Sequence, residues 1–119
     1  MGLVAGQAGD AVVLTVSGDL DLDNIAPLAG ALTEAGESCP GPVVLDLSGV
    51  GFADSTTVNV LLKGRSELGG RLRVAKPSAF IARLFEVIGL GSALPVYETV
   101  EAALAAPDAS GPVASDGVE

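Results

Sequence analysis

Apolar residues in this chain switch between two periods, and the switches mark the elements. Ala11–Ser17 opens with an unbroken aliphatic and β-branched run, the pattern of a strand buried on both faces. Leu3–Ala5 ahead of it reads as a short edge strand, joined through a Gly6–Asp10 turn, and Gly18-Asp19-Leu20-Asp21 reads as an acidic turn that ends the long strand. Ile25, Leu28, Ala29 and Leu32 then follow helical spacing, with a start near Asp23 or Asn24 and Pro27 in the first turn. Gly36 and the Cys39–Pro42 loop stop that helix.

The central stretch is Val43–Leu62. Val43–Leu47 is a short buried strand, Ser48–Phe52 carries two glycines spaced for a bend, and Asp54-Ser55-Thr56-Thr57 precedes the apolar positions Val58, Leu61, Leu62 and Leu68. Asp or Ser just ahead of such a face is an N-cap signal, so a serine hydroxyl is expected at the positive end of a helix. Gly69-Gly70 closes the helix, and Leu72 and Val74 lie in a third buried strand. Ser78 caps a helix with Ile81, Leu84, Phe85 and Ile88 inward and Gly89 at its end. An extended piece around Leu94–Val96 and a last helix capped by Thr99, with Val100, Ala103 and Leu104, complete the ordered chain. From Pro107 onward small, polar and breaker residues without periodicity predict a disordered tail. Alternating strands and helices with short connections predict one α/β domain over residues 1–106 (core 11–105), with a mixed, partly parallel sheet of about four to five strands and about four helices.

Composition narrows the chemistry. The chain is 49% hydrophobic but only 3% aromatic, so the core must be aliphatic. Cys39 is the single cysteine, which excludes an intrachain disulfide and a thiolate cluster, and histidine is absent, which removes Ser-His-Asp and Cys-His catalysis and most zinc sites. No apolar run spans a membrane and no leader is evident, so a cytoplasmic protein is expected. A net charge of −9 argues against nucleic acid as partner. All six bases fall between Lys63 and Arg83 with one acid, Glu67, a local charge of +5. These are expected to be solvated helix faces and strand ends.

Other chemistries fit less well. Gly49-Val50-Gly51 lacks the third glycine and the Lys-Ser/Thr pair of a phosphate loop. Asp19, Asp21 and Asp23 alternate as metal ligands sometimes do, but an acidic helix N-terminus accounts for them. Asp54 with Lys76-Pro77 suggests a phosphoacceptor receiver domain, yet only one helix and one strand separate the aspartate from the lysine, one strand–helix unit short of that pattern.

Five segments in order resemble the STAS domain family, in its anti-sigma factor antagonist type, over about Ala11 to Ala105: Ser17-Gly18-Asp19-Leu20-Asp21, Val43–Ser48, Phe52-Ala53-Asp54-Ser55-Thr56, Arg83-Leu84-Phe85 with Ile88-Gly89-Leu90, and Ala102-Ala103-Leu104. The resemblance implies a bacterial partner switch, itself non-catalytic and without cofactor or metal. Ser55 is then the residue phosphorylated by an anti-sigma factor of the histidine-kinase-like ATPase type, and a serine phosphatase resets it. Unmodified antagonist holds the kinase and frees a sigma factor; modified antagonist lets go. Asp19, Asp21, Asp54, Ser55, Thr56, Thr57 and Asn59 are the implied partner-binding residues, with Thr56 and Thr57 as competing acceptors. Where the family most often has glycine two residues after the acceptor this chain has Thr57, which is expected to make the kinase-facing surface bulkier. A monomer suits the acidic surface. Two alternatives stand beside this reading: a STAS scaffold in a signalling complex or with a transporter, with Ser55 a mere cap, and a receiver-like domain accepting phosphate on Asp54.

Overall fold

The computed structural model describes residues 2–89 and 94–106. Five strands, β1 (Gly2–Ala8), β2 (Ala11–Leu20), β3 (Val43–Ala53), β4 (Leu72–Ala75) and β5 (Val96–Tyr97), lie in sequence order in one sheet. β1 is antiparallel to β2, and every other neighbouring pair is parallel. Helices α1 (Ala26–Ser38), α2 (Ser55–Leu68) and α3 (Ala79–Ile88) cross between the parallel strands, and α4 (Val100–Ala105) follows β5. α1, α2 and α3 pack Leu28, Leu32, Leu61, Ile81 and Phe85 onto Leu14, Val16, Val43, Leu45, Leu72 and Val74. On the other face α4 buries Ala103 against Val44 and Ala75. The mixed α/β sheet expected from the alternation is present, and no described helix is long and apolar enough to cross a membrane. The tail expected from Pro107 lies outside the described residues.

Two strands run further than their sequence pattern suggests. β2 continues through the supposed acidic turn to Leu20, and β3 continues through the supposed glycine bend to Ala53. The register explains how. Val12 pairs with Val43, Ser17 with Gly49, and Asp19 with Phe52, so β3 gains one residue on β2 at each of two shifts. Each such bulge flips the face that alternate side chains occupy. The inward set on β3 therefore passes from Val43, Leu45 and Leu47 to Val50 and then Ala53, all in one core. Gly49 permits the close approach, since a Cβ there would stand 2.9 Å from the Ser17 Cβ.

α1 also differs from its expected limits. It begins at Ala26, after a separate turn, and runs through Gly36 to Ser38. Gly36 is a packing position rather than a stop, because a Cβ there would run into Leu68 of α2. Leu62 and Ile88, expected inward, are 38% and 45% exposed. Two of the six bases are structural rather than solvated. Arg73 is buried and donates to the carbonyls of Gly70 and Ala103, tying β4 to α4, while Arg71 donates to the carbonyls of Gly36, Cys39 and Gly41 at the end of α1.

Two glycine substitutions test the packing. A Cβ at Gly30, on the exposed side of α1, meets nothing within 4 Å, so Gly30→Ala should raise stability by about 0.5–1 kcal/mol. A Cβ at Gly41 would stand 2.5 Å from the Asp10 carbonyl oxygen, so Gly41→Ala should cost about 1–3 kcal/mol. Urea denaturation of both variants reads the two signs directly.

Candidate functional site at the mouth of the second helix

α2 begins where β3 buries its last side chain, Ala53, and the backbone turns at Asp54. Asp54 is extended, with φ −111° and ψ −174°, and its Oδ1 accepts the amides of Thr56 at 3.0 Å and Thr57 at 3.3 Å. The N-cap is therefore Asp54, which stands half-buried. Ser55 is the first helical residue, exposed, and its hydroxyl has no hydrogen-bond partner among the described residues. Asn59, one turn further on, is exposed as well, and Thr56 is half-buried.

Thr57 turns the other way. It is 1% exposed, and its Oγ1 donates to the Leu20 carbonyl at 3.5 Å. The expectation that Thr57 adds bulk to the outer surface, contacts a partner or competes as an acceptor is thus corrected. A helix starting at Ser55 carries Thr57, Leu61 and Gly64 inward at three- and four-residue spacing. A glycine at this position would leave the space beneath the first turn unfilled; threonine fills it and ties α2 to the end of β2.

That tie brings the acidic end of β2 beside the helix mouth. Leu20 is fully buried opposite Ala53, while Asp19 and Asp21 on either side of it reach outward. Beyond them the chain makes a turn of its own. Asp21 Oδ1 accepts the amides of Asp23 at 3.0 Å and Asn24 at 3.1 Å, while Asn24 Oδ1 accepts the Asp21 amide and Asn24 Nδ2 donates to the Asp19 carbonyl. The three aspartates are thus not a helix N-terminus, since α1 has no acid in its first turn. Nor do they form a metal centre: among the described residues no group of three or more His, Cys, Asp or Glu side chains is placed to hold an ion. Of the seven sequence-predicted partner residues, Asp19, Asp21, Asp54, Ser55, Thr56 and Asn59 gather at this one end of the sheet, and Thr57 is beneath it. Sequence reasoning missed Asn24, which shapes the turn, and Phe52 with Phe80, whose rings meet at the same end. The aromatic pair had a signal, two of only three phenylalanines in the chain.

A receiver reading fits poorly here. Receivers order their parallel strands 2-1-3-4-5, whereas this sheet runs in sequence order with an antiparallel first strand. One oxygen of Asp54 is already committed to two backbone amides.

The division of labour between Asp54 and Ser55 has a measurable consequence. Asp54→Ala should cost about 1 kcal/mol by leaving the Thr56 and Thr57 amides unmet, while Ser55→Ala should change stability by less than about 0.5 kcal/mol. Equal costs in chemical denaturation would mean that Ser55 shares the capping.

Comparison with known proteins agrees with this architecture. The family model described as "Mlab, STAS domain" matches residues 3–110. The anti-sigma-F factor antagonist RsfA of Mycobacterium tuberculosis is 30% identical over 101 residues, covering 81% of this chain and 79% of RsfA. The crystal structure of an anti-sigma factor antagonist from Mycobacterium paratuberculosis superimposes with a TM-score of 0.77 at 27% identity, covering 87% of this chain and 90% of that one. The phosphorylated form of the Bacillus cell fate determinant SpoIIAA shares the fold with a TM-score of 0.66 at 20% identity over 86% of this chain and 96% of its own. This chain belongs to the STAS domain family, in its anti-sigma factor antagonist type.

Proposed function

We propose that this protein is an anti-sigma factor antagonist that binds a serine-kinase anti-sigma factor through the face around Ser55 and is released when Ser55 is phosphorylated. The observation that carries this reading is the free hydroxyl. Asp54 caps α2, so Ser55 is spared that duty and stands exposed at the helix N-terminus. A mere cap, the competing reading, would have its side chain on a backbone amide. RsfA, similar over most of both chains, is an anti-sigma-F factor antagonist, and SpoIIAA is an example of this fold in a phosphorylated form.

The chemistry is that of a substrate rather than a catalyst. Ser55 Oγ attacks the γ-phosphorus of ATP held by the kinase, the bond from that phosphorus to the β,γ-bridging oxygen breaks, ADP leaves, and the hydroxyl proton passes to a base on the kinase. The phosphoserine carries about −1.5 to −2 charges and faces the terminal phosphate of ADP across the new gap. Such charge left unpaired in an interface costs ~4 kcal/mol, about a thousandfold in affinity. Hydrolysis of the phosphoserine by a serine phosphatase restores the first state. The fold need not change, because the added group projects into solvent and the helix N-terminus offsets part of its charge by about 0.3–1 kcal/mol. The cycle is one of cytoplasmic signalling, with the antagonist acting as a monomer.

Incubation with the anti-sigma kinase and ATP should add the mass of one phosphoryl group, stable to hydroxylamine, and Ser55→Ala should abolish the gain. No gain in the wild-type chain, or an undiminished gain in Ser55→Ala, overturns the assignment. Ser55→Asp should weaken kinase binding while its thermal midpoint stays within about 2 °C of wild type; a larger fall would make the residue chiefly structural.

A further inference from the structure

Ser55 and Thr57 stand two positions apart in the first turn of α2, about 200° around the helix from one another, so whatever holds one inward turns the other outward. Thr57 is buried and Ser55 exposed. A threonine in a helix commonly bonds its hydroxyl to a carbonyl of its own preceding turn. Thr57 donates across the fold instead, from Oγ1 to the Leu20 carbonyl at 3.5 Å. The bond joins the first turn of α2 to the last residue of β2.

The anchor point is firm. Leu20 is fully buried and is the register partner of Ala53, the last residue of β3. The backbone on either side of it is held as well: Asn24 Nδ2 donates to the Asp19 carbonyl at 2.8 Å, and Asn24 Oδ1 accepts the Asp21 amide at 2.9 Å. Two restraints therefore act on the first turn of α2. The Asp54 cap, through the Thr56 and Thr57 amides, fixes where the chain enters the helix. The Thr57 side chain, planted against the end of β2, fixes how that turn is rotated about its axis.

Rotation matters for a group that must react. A hydroxyl roughly 4 Å from a helix axis moves about 1 Å for every ~15° of rotation. A misplacement of about 1 Å at a reacting atom costs on the order of a hundredfold in rate. The exposure and charge of the surrounding surface change little over so small a rotation, so docking tolerates it and group transfer does not.

We propose that Thr57 is a positioning residue for phosphoryl transfer: its hydroxyl on the Leu20 carbonyl sets the direction in which Ser55 Oγ is offered to the nucleotide of the kinase. This inference rests on the reading of Ser55 as the phosphoacceptor and gives a role to a side chain that the kinase does not touch. The role belongs to the threonine of this chain, since the glycine most often found at this position in the family carries no hydroxyl.

The test measures initial rates of phosphorylation by the anti-sigma kinase over a range of antagonist concentrations, for wild type and three variants. Thr57→Val keeps the branched shape and loses the donor, Thr57→Ser keeps the donor, and Gly41→Ala places its strain at the other end of β3, against Asp10. Thr57→Val should lower kcat about tenfold or more with KM within about threefold of wild type, Thr57→Ser should stay within about threefold in kcat, and Gly41→Ala within about twofold. In the free wild-type chain the Thr57 hydroxyl proton should give an NMR resonance in slow exchange with water, a readout that needs no variant to fold. Several results overturn the positioning role alone, provided that wild type is phosphorylated at Ser55: a kcat for Thr57→Val within twofold of wild type, a loss carried by KM only, a loss that Thr57→Ser shares or Gly41→Ala reproduces, or a Thr57 hydroxyl in free exchange with water. Failure of wild type to accept phosphate on Ser55 overturns the acceptor reading and this role with it.

Discussion

One carboxylate decides what the second helix can offer. By accepting the amides of Thr56 and Thr57, Asp54 satisfies donors that a helix start would otherwise leave to its neighbours or to water. The duty that serine most often performs at such a corner is thus taken one residue earlier. Ser55 keeps the favourable electrostatics of a helix N-terminus and owes nothing to the backbone. A hydroxyl in that state takes no part in the packing beneath it.

The corner is held in position by the length of β3. That strand runs seven residues past the end of β4, paired there with β2 alone, and gains two residues on β2 along the way. Thr57 then fastens α2 to β2, and Ser78 fastens α3 to β3. The acidic end of β2, the mouth of α2 and the first turn of α3 meet at one place as a result. Both fasteners are hydroxyls that donate to backbone carbonyls, Thr57 buried and Ser78 half-buried.

Local chemistry was readable in the sequence, and tertiary geometry was not. Ser78, Thr99 and Gly89 sit where their side chains or left-handed backbone announce helix ends, and each does so here. Gly49 and Gly51 announce a turn equally well, but whether a glycine marks a turn or a bulge depends on the neighbouring strand, Ser17 in this case. The inward face of α2 was misjudged for a related reason. Leu62 looked like a core position, yet the buried residues of α2 are Thr57, Leu61 and Gly64, and Leu72 and Leu32 lie 3.2 and 3.4 Å from where a Cβ on Gly64 would stand. Arg71 and Arg73 could not be told from solvated bases, because the carbonyls they satisfy come from α1, the loop after it and α4. The start of α2 was legible, since Asp-Ser before an apolar helix face is a local signal; that the aspartate rather than the serine does the capping needed coordinates.

The most direct measurement compares the unmodified chain with the same chain carrying phosphoserine at position 55 throughout, titrating each against the anti-sigma factor and recording amide shifts of the free proteins. A loss of about a thousandfold in affinity, with shifts confined to the neighbourhood of α2's first turn, is the expected result. Equal affinities, or a lost affinity accompanied by shifts across the sheet, would contradict a switch that works by surface charge alone.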